Sequence, residues 1–359
     1  MRKEYTSLGL MSGTSMDGVD VSIIQSDGES KSRVMIDEYF EYSQDIYQDL
    51  IIIREKINSS NDLKKYHSEL NKLEREITLF HSQAIDKMLQ KSNINIDIIG
   101  FHGQTIFHNS SEKISQQLGN GELLAQQTKK KVVYNFRKND LQNGGEGAPL
   151  TPVYHQILEK KLNIKPVSFI NIGGILNRTI IKNNGELSAK DEGPGMCLID
   201  KWIRINSKNK YDENGDIARS GKLNKIIFDQ YIDNFDSNFK KKSYDINDFD
   251  ISFIRGLSLE DGAATLTYIT SHIINSLFLN NKEKIILCGG GRKNKFLVEL
   301  IKNVNKEVKP IDDYGINGDF VESQAFAFLA IRSYLNLPIS FPNTTGCKKS
   351  CSGGKIIKF

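Results

Sequence analysis

Strands that stop at glycine turns, with helices between them, predict an α/β protein of two lobes. Three observations carry that expectation. At 359 residues the chain exceeds one ordinary core. Strand-like and helical hydrophobic patterns alternate along it. Glycine turns at Gly13, Gly173 and Gly289 each stand where a strand-like run ends. Loops at the carboxyl ends of strands are where α/β sheets gather ligands.

The first turn lies in Gly9-Leu10-Met11-Ser12-Gly13-Thr14-Ser15-Met16-Asp17-Gly18-Val19-Asp20. The apolar run Val21–Gln25 follows, so a hairpin is expected, with small polar residues at its tip. Glycines there allow positive φ and close approach to a ligand, and successive N–H groups form a nest for an anion. Thr14 and Ser15 add hydroxyls, and Asp17 could hold a magnesium ion or its water shell. A plain structural turn has the same composition, and the residues alone do not separate the two.

From about Ser43 to Lys91 the pattern is helical, with Leu70, Leu73, Ile77 and Phe80 at three- and four-residue spacing. Ile94–Phe101 reads as a buried strand that runs into a loop at His102-Gly103-Gln104-Thr105. Val132-Val133-Tyr134 is a short strand, and Gly144–Leu150 must be a loop. Val167–Gly174 reads as a strand ending in a tight turn, with Arg178–Ile181 as its hairpin partner. Tyr211–Asp250 is polar and aromatic, an insertion of small helices and loops. A helix over Leu259–Leu279, a strand over Lys284–Cys288, the Gly289-Gly290-Gly291 turn and a helix from about Asn294 follow. Glu322–Leu335 is a final helix.

Composition excludes several classes. The net charge of +4 is spread along the chain and does not argue for nucleic acid. Lys129–Lys131 and Lys240–Lys242 read as solvated surface. No apolar leader or span of membrane length is present, so no membrane association is expected and cytosol is the default. Four cysteines, Cys197, Cys288, Cys347 and Cys351, do not make a disulfide framework in a chain of this size. Cys347 and Cys351 stand close together, but no His or Cys pair beside them completes a zinc site.

For chemistry, Asp191 is the candidate general base. It follows the Val167 hairpin and precedes a rigid Gly193-Pro194-Gly195 turn. Phosphoryl transfer needs positioning, charge neutralisation and a carboxylate to activate the nucleophile. Asp191 could instead cap the helix starting near Met196. His102 could be a base or a substrate contact, Cys197 reads as core, and Glu322 would by default sit in the field of a helix N-terminus.

Taken together the motifs resemble the anhydro-N-acetylmuramic acid kinases. The opening Gly9–Asp20 block, His102–Thr105, Gly144–Leu150, Asn171–Asn177, Asp191–Gly195, Cys288–Asn294 and Glu322–Ala327 fall in that family's order, from Leu8 to about Gly354. The resemblance implies a hexokinase–actin–Hsp70 type of fold, two-lobed with a central nucleotide cleft. Residues 1–138 with 335–359 would form one lobe and 139–334 the other. It implies ATP and magnesium as cofactors, a homodimer, and conversion of 1,6-anhydro-N-acetylmuramic acid plus water to N-acetylmuramic acid 6-phosphate.

By the same resemblance Gly13, Thr14, Ser15, Met16, Asp17, Gly18, Val19 and Asp20 match the ATP loop. Gly173, Gly174, Gly289, Gly290 and Gly291 match the second phosphate loop and the adenosine-side loop. Asp191 matches the catalytic aspartate, and His102, Gln104, Arg137 and Glu322 the sugar contacts. Arg137 would pair with the lactyl carboxylate. Four positions depart from the family pattern: Asn135 for Asp, Glu146 for Gln, Glu192 for Thr and Met196 for Asn. They are expected near the sugar, where they bear on the substrate more than on the reaction. The alternatives are a kinase of another anhydro sugar such as levoglucosan, or a nucleotide-switched binding protein of the actin or Hsp70 kind.

Overall fold

The computed structural model describes residues 3–238, 243–278 and 283–359. The Lys240–Lys242 run, and Leu279 at the expected end of one helix, lie outside them. The chain forms two compact α/β units, Met1–Lys161 with Asp319–Phe359, and Leu162–Gly318. They part at 161/162 and 318/319, and not at the expected 138/139 and 334/335. The reason is the packing of two helices. Val321–Tyr334 lies on the sheet of the first unit. Pro152–Leu162 joins it there, with Tyr154 Oη donating to Gln324 Oε1 at 3.0 Å.

In the first unit, β1 (Tyr5–Ser12), β2 (Gly18–Ser26) and β3 (Ser32–Glu41) form an antiparallel meander. Parallel β4 (Ile98–Asn109) and β6 (Lys131–Tyr134) extend it beyond β1, and β5 (Ile114–Leu118) pairs with the far half of β4. The C-terminal strand Lys355–Ile357 closes that edge against β6. The opening hairpin is as expected. Its periodic helical segment resolves into Gln44–Lys56, Ser60–Lys65 and His67–Ser92. Leu70, Leu73 and Ile77 are buried as their spacing requires, and Phe80 is half-buried. Ala84, Ile85 and Met88 of the long helix pack with Leu8, Leu10, Val21 and Ile99 of the sheet.

One expectation is corrected here. His102–Thr105 is not a strand-end loop but part of β4, which starts at Ile98 and runs on to Asn109. Pairing with β5 keeps the chain extended from Gln104 on, and Gly103, at φ 75°, lies in the register shift against β1 between Phe101 and Gln104.

The Val321–Tyr334 helix approaches the sheet at two glycines. A Cβ on Gly9 would lie 2.0 Å from the Ser323 carbonyl oxygen, and one on Gly100 2.3 Å from that of Phe326. No L side chain fits at either point.

The second unit contains β7 (Val167–Ile172), β8 (Ile175–Ile181), β9 (Leu187–Pro194), β10 (Lys284–Cys288) and β11 (Lys309–Pro310), in the order β11-β10-β7-β8-β9. β7, β8 and β9 are antiparallel neighbours, whereas β10 is parallel to both β7 and β11. Helices Cys197–Asn206, Leu259–Ser276 and Lys295–Val304 bury Trp202, Leu266, Ile269, Ile273 and Leu297 with Ile170, Leu176 and Leu287. Cys197 packs partly buried against this core, as expected. The described part of Tyr211–Asp250 is a set of small helices and loops, with Asp216–Ser220 and Lys225–Asn238 as its α-helices.

Two predictions follow from this packing. Gly100→Ala forces Cβ against a helix carbonyl and should cost about 1–3 kcal/mol, seen as a lower urea midpoint at unchanged secondary structure. Three histidines of the first unit are held below their ordinary value by burial: His81 to about 4, His155 to about 3, and His102 well below 6.5, the last also by the Arg137 charge. The unfolded chain binds these protons first, so stability should be intact above about pH 6.5 and fall as pH drops toward 4. The expected slope is about 1.4 kcal/mol per pH unit for each histidine. Urea titrations from pH 7.5 to 4.5 test this, and a flat midpoint would show that these rings titrate normally in the fold.

Candidate active site

The opening loop is built by the β1–β2 hairpin. Its left-handed residue is Met16, at φ 58°, and not Gly13 or Gly18. The buried Met16 side chain, packed among Leu50, Ile53, Leu73 and Phe107, compensates for that backbone. Gly18 is required for space instead, since a Cβ there would meet the Phe40 carbonyl oxygen at 2.5 Å. Gly13 has open space around it, and Thr14 and Ser15 are exposed. Ser15 Oγ donates to Asp17 Oδ1 at 2.5 Å, and Met16 N donates to the Gly13 carbonyl at 3.2 Å. Val19 is buried in the core and Asp20 is half-buried.

Gln104 belongs to this loop. Its Nε2 donates to the Gly13 carbonyl at 2.9 Å, while Oε1 is buried with no partner among the described residues. Beneath the loop, Ser12 Oγ lies 2.7 Å from Tyr42 Oη and 3.2 Å from His81 Nε2. His81 Nδ1 donates to the Ile77 carbonyl at 2.7 Å, which leaves Nε2 as an acceptor.

His102 is buried and its Nδ1 donates to the Gly103 carbonyl at 2.8 Å. Its Nε2 accepts from Arg137 Nε at 3.2 Å and Nη2 at 2.9 Å. Arg137 Nη1 donates to the Gly147 carbonyl at 2.9 Å. A neutral imidazole and a carbonyl thus aim the guanidinium. His102 is an orienting acceptor and has no free nitrogen to act as a base. Glu322 stands half-buried in the first turn of the Val321–Tyr334 helix. Among the departures, Asn135 is left-handed at φ 56°, a conformation Asn tolerates, and Glu146 Oε2 accepts from Ser110 Oγ at 2.9 Å.

In the second unit, register brings two glycine turns together. β10 runs parallel to β7 with Cys288 beside Asn171, so both strands end at adjacent turns. Gly289, at φ 77°, would place a Cβ 2.3 Å from Asn171 Oδ1, and Gly291 one 2.4 Å from the Ile172 side chain. Gly290 is open. The Gly173 carbonyl accepts from Met196 N at 2.8 Å, and that of Gly174 from Gly195 N at 3.0 Å. The turn is thereby tied to the segment that follows Asp191.

Asp191 lies in edge strand β9 opposite Asn177, and is buried. Its Oδ2 accepts from Tyr244 N at 2.9 Å. The N-cap of the Cys197–Asn206 helix is Met196, so Asp191 does not cap it. Asn177 has a buried Oδ1 with no partner among the described residues. Tyr244 is not marked by the sequence, because it reaches Asp191 only through folding. Glu192 stands at the register shift of β9 against β8, between Asp191 and Gly193. It pairs with Lys190 Nζ at 2.8 Å, and burial raises its carboxyl above the usual range against that pull.

Among the described residues no helix is long and apolar enough to cross a membrane. Residues 5–358 match the family model described as Anhydro-N-acetylmuramic acid kinase. A Pelagibacter ubique protein named anhydro-N-acetylmuramic acid kinase is 53% identical, with 100% of each chain covered. One of the same name from Zymomonas mobilis is 39% identical over 98% of this chain and 99% of its own. A solved structure, the (R)-2-hydroxyglutaryl-CoA dehydratase component A of Acidaminococcus fermentans, aligns over 92% of this chain and 99% of its own, with TM-score 0.46 and 10% identity. The full-length matches decide the family: this chain belongs to the anhydro-N-acetylmuramic acid kinases.

Proposed function

We propose that the protein converts 1,6-anhydro-N-acetylmuramic acid, ATP and water to N-acetylmuramic acid 6-phosphate and ADP, in the recycling of cell-wall sugar. Full-length membership of the kinase family carries this reading, and Asp191 gives it chemistry. Asp191 accepts a proton from the water that attacks the anomeric carbon. The bond from that carbon to O6 breaks, and O6 attacks the γ-phosphorus as its charge develops. Coupling the steps avoids a free alkoxide, and release of bicyclic strain assists. The Tyr244 N–H on Oδ2 holds the carboxylate in place for that role.

Gly13–Asp20 would receive the ATP phosphates, with Gly173, Gly174 and Gly289–Gly291 as the second phosphate and adenosine-side loops. Gln104, bonded to Gly13, would hold the loop in place. Arg137 would take the lactyl carboxylate, with His102 orienting it and Glu322 on the sugar. Levoglucosan carries no carboxylate, so Arg137 favours the muramic sugar over that alternative. Full-length likeness to sugar kinases favours neither it nor a nucleotide-switched binding protein.

Asp17 fits a magnesium ion. It is half-buried, and its neighbour is the Ser15 hydroxyl. One hard carboxylate suits an ion that keeps its waters and takes phosphate oxygens. When bound, magnesium would neutralise charge on the phosphates. The cytosol, where ATP is available, is the proposed setting, and a homodimer the proposed assembly.

Adding anhydro-N-acetylmuramic acid to protein, ATP and magnesium should release ADP and form a sugar 6-phosphate; ADP release indifferent to the sugar would refute the kinase reading. Asp191→Asn should lower kcat about 100- to 10,000-fold with ATP affinity nearly unchanged in calorimetry. Arg137→Ala should raise KM for the sugar about 10- to 100-fold, the range for a hydrogen bond to a charged group. An unaltered KM would remove Arg137 from the carboxylate.

A further inference from the structure

Away from these loops, three ligand-bearing side chains of the first unit converge. Asp140, Cys347 and Cys351 place one carboxylate oxygen and two sulfurs within 4.8 Å of one another. Asp140 and Cys347 are both about 1% exposed, and Cys351 is half-buried. Two sulfurs on one tetrahedral zinc stand about 3.8 Å apart at a zinc–sulfur distance of about 2.3 Å. The cluster therefore needs little movement to close on an ion.

The surroundings set the three groups in place. Asp140 lies in the short Lys138–Gln142 helix, and Gly145 packs so closely that a Cβ there would be 2.2 Å from Asp140 Oδ2. Asp140 Oδ2 accepts from Gly147 N at 2.7 Å, and Oδ1 from Thr345 Oγ1 at 2.5 Å. Both partners are neutral, and no Lys, Arg or His pairs with this buried carboxylate among the described residues. Each oxygen keeps a lone pair. A buried carboxylate without a cation is costly, and two adjacent thiols are the soft donors that a zinc ion adds to such an oxygen. Ser340 Oγ, 3.1 Å from Cys351 Sγ, holds that sulfur toward the cluster.

We propose that Asp140, Cys347 and Cys351 bind a zinc ion, with water in the fourth position. The thiols coordinate as thiolates, and their two protons pass to solvent. The ion would staple the C-terminal segment to the Lys138–Gln142 helix and the loop that follows it. Backbone bonds already join the two there, from Glu146 N to the Thr345 carbonyl at 2.8 Å and from Lys348 N to that of Asn143 at 3.1 Å. The same loop supplies the Gly147 carbonyl to Arg137. Its role is structural and does not depend on the reaction proposed above.

The test is metal analysis of the whole protein, purified without chelator, loaded with zinc chloride and dialysed. One zinc per chain should remain, and a mercurial that blocks thiols should release it. Cobalt exchange should give a thiolate-to-metal charge-transfer band. Cys351→Ser should weaken zinc binding at least tenfold, and Cys197→Ser should leave it intact. A folded, zinc-loaded wild-type chain that dialyses free of metal would overturn the proposal. So would a mass lower by two hydrogens, marking a Cys347–Cys351 disulfide in the protein as isolated. Both readings use the unaltered chain, so a variant that fails to fold does not blunt the test.

Discussion

Contact between a helix backbone and two strand glycines organises the first unit. Where the Val321–Tyr334 helix crosses β1 and β4, the Ser323 and Phe326 carbonyls occupy the space that side chains on Gly9 and Gly100 would need. That contact fixes three chain segments at once. β1 continues from Gly9 into the Gly13 loop, β4 from Gly100 into His102 and Gln104, and the helix carries Glu322 in its first turn. The residues read as binding groups are thus outgrowths of one packed junction. Sub-ångström fit at the junction sets their positions, and close-packed interiors transmit such fit.

The second unit uses the same device with a different outcome. Gly289 and Gly291 let the turn after β10 press on Asn171 and Ile172 at the end of β7, and Gly195 lets the chain close on the Gly173 carbonyl. Two adjacent turns, open at Gly290, and a buried carboxylate result, with Asp191 held by a backbone N–H from the Tyr244 segment. A carboxylate fixed in this way loses little freedom when it orients a nucleophile, which is the contribution positioning makes to phosphoryl transfer.

Local features were legible in the sequence wherever local chemistry decides them. The opening hairpin, the periodic helix carrying Leu70, Leu73 and Ile77, and the turn at Gly173 each follow from short-range pattern. What escaped depends on partners far along the chain. His102 read as a loop because β5, which keeps β4 extended, pairs with it only in the fold. Met16, and not a glycine, takes the left-handed turn position because distant apolar side chains bury it. Glu192 pairs with Lys190 at a register shift in β9 that the local pattern does not announce. The units part elsewhere than expected because a helix near the C-terminus packs on the N-terminal sheet. Asp140, more than two hundred residues before Cys347 and Cys351, supplies the third donor that the neighbouring sequence lacks.

The central claim is that water opens the anhydro bridge while the original O6 receives the phosphoryl group. Turnover in water enriched in oxygen-18, followed at once by mass spectrometry of the product, tests it most directly. The account predicts one heavy oxygen at the anomeric carbon, with unlabelled oxygen joining the sugar to phosphorus. Label in inorganic phosphate with the anhydro sugar unchanged would mean that the protein only hydrolyses ATP, and would contradict it.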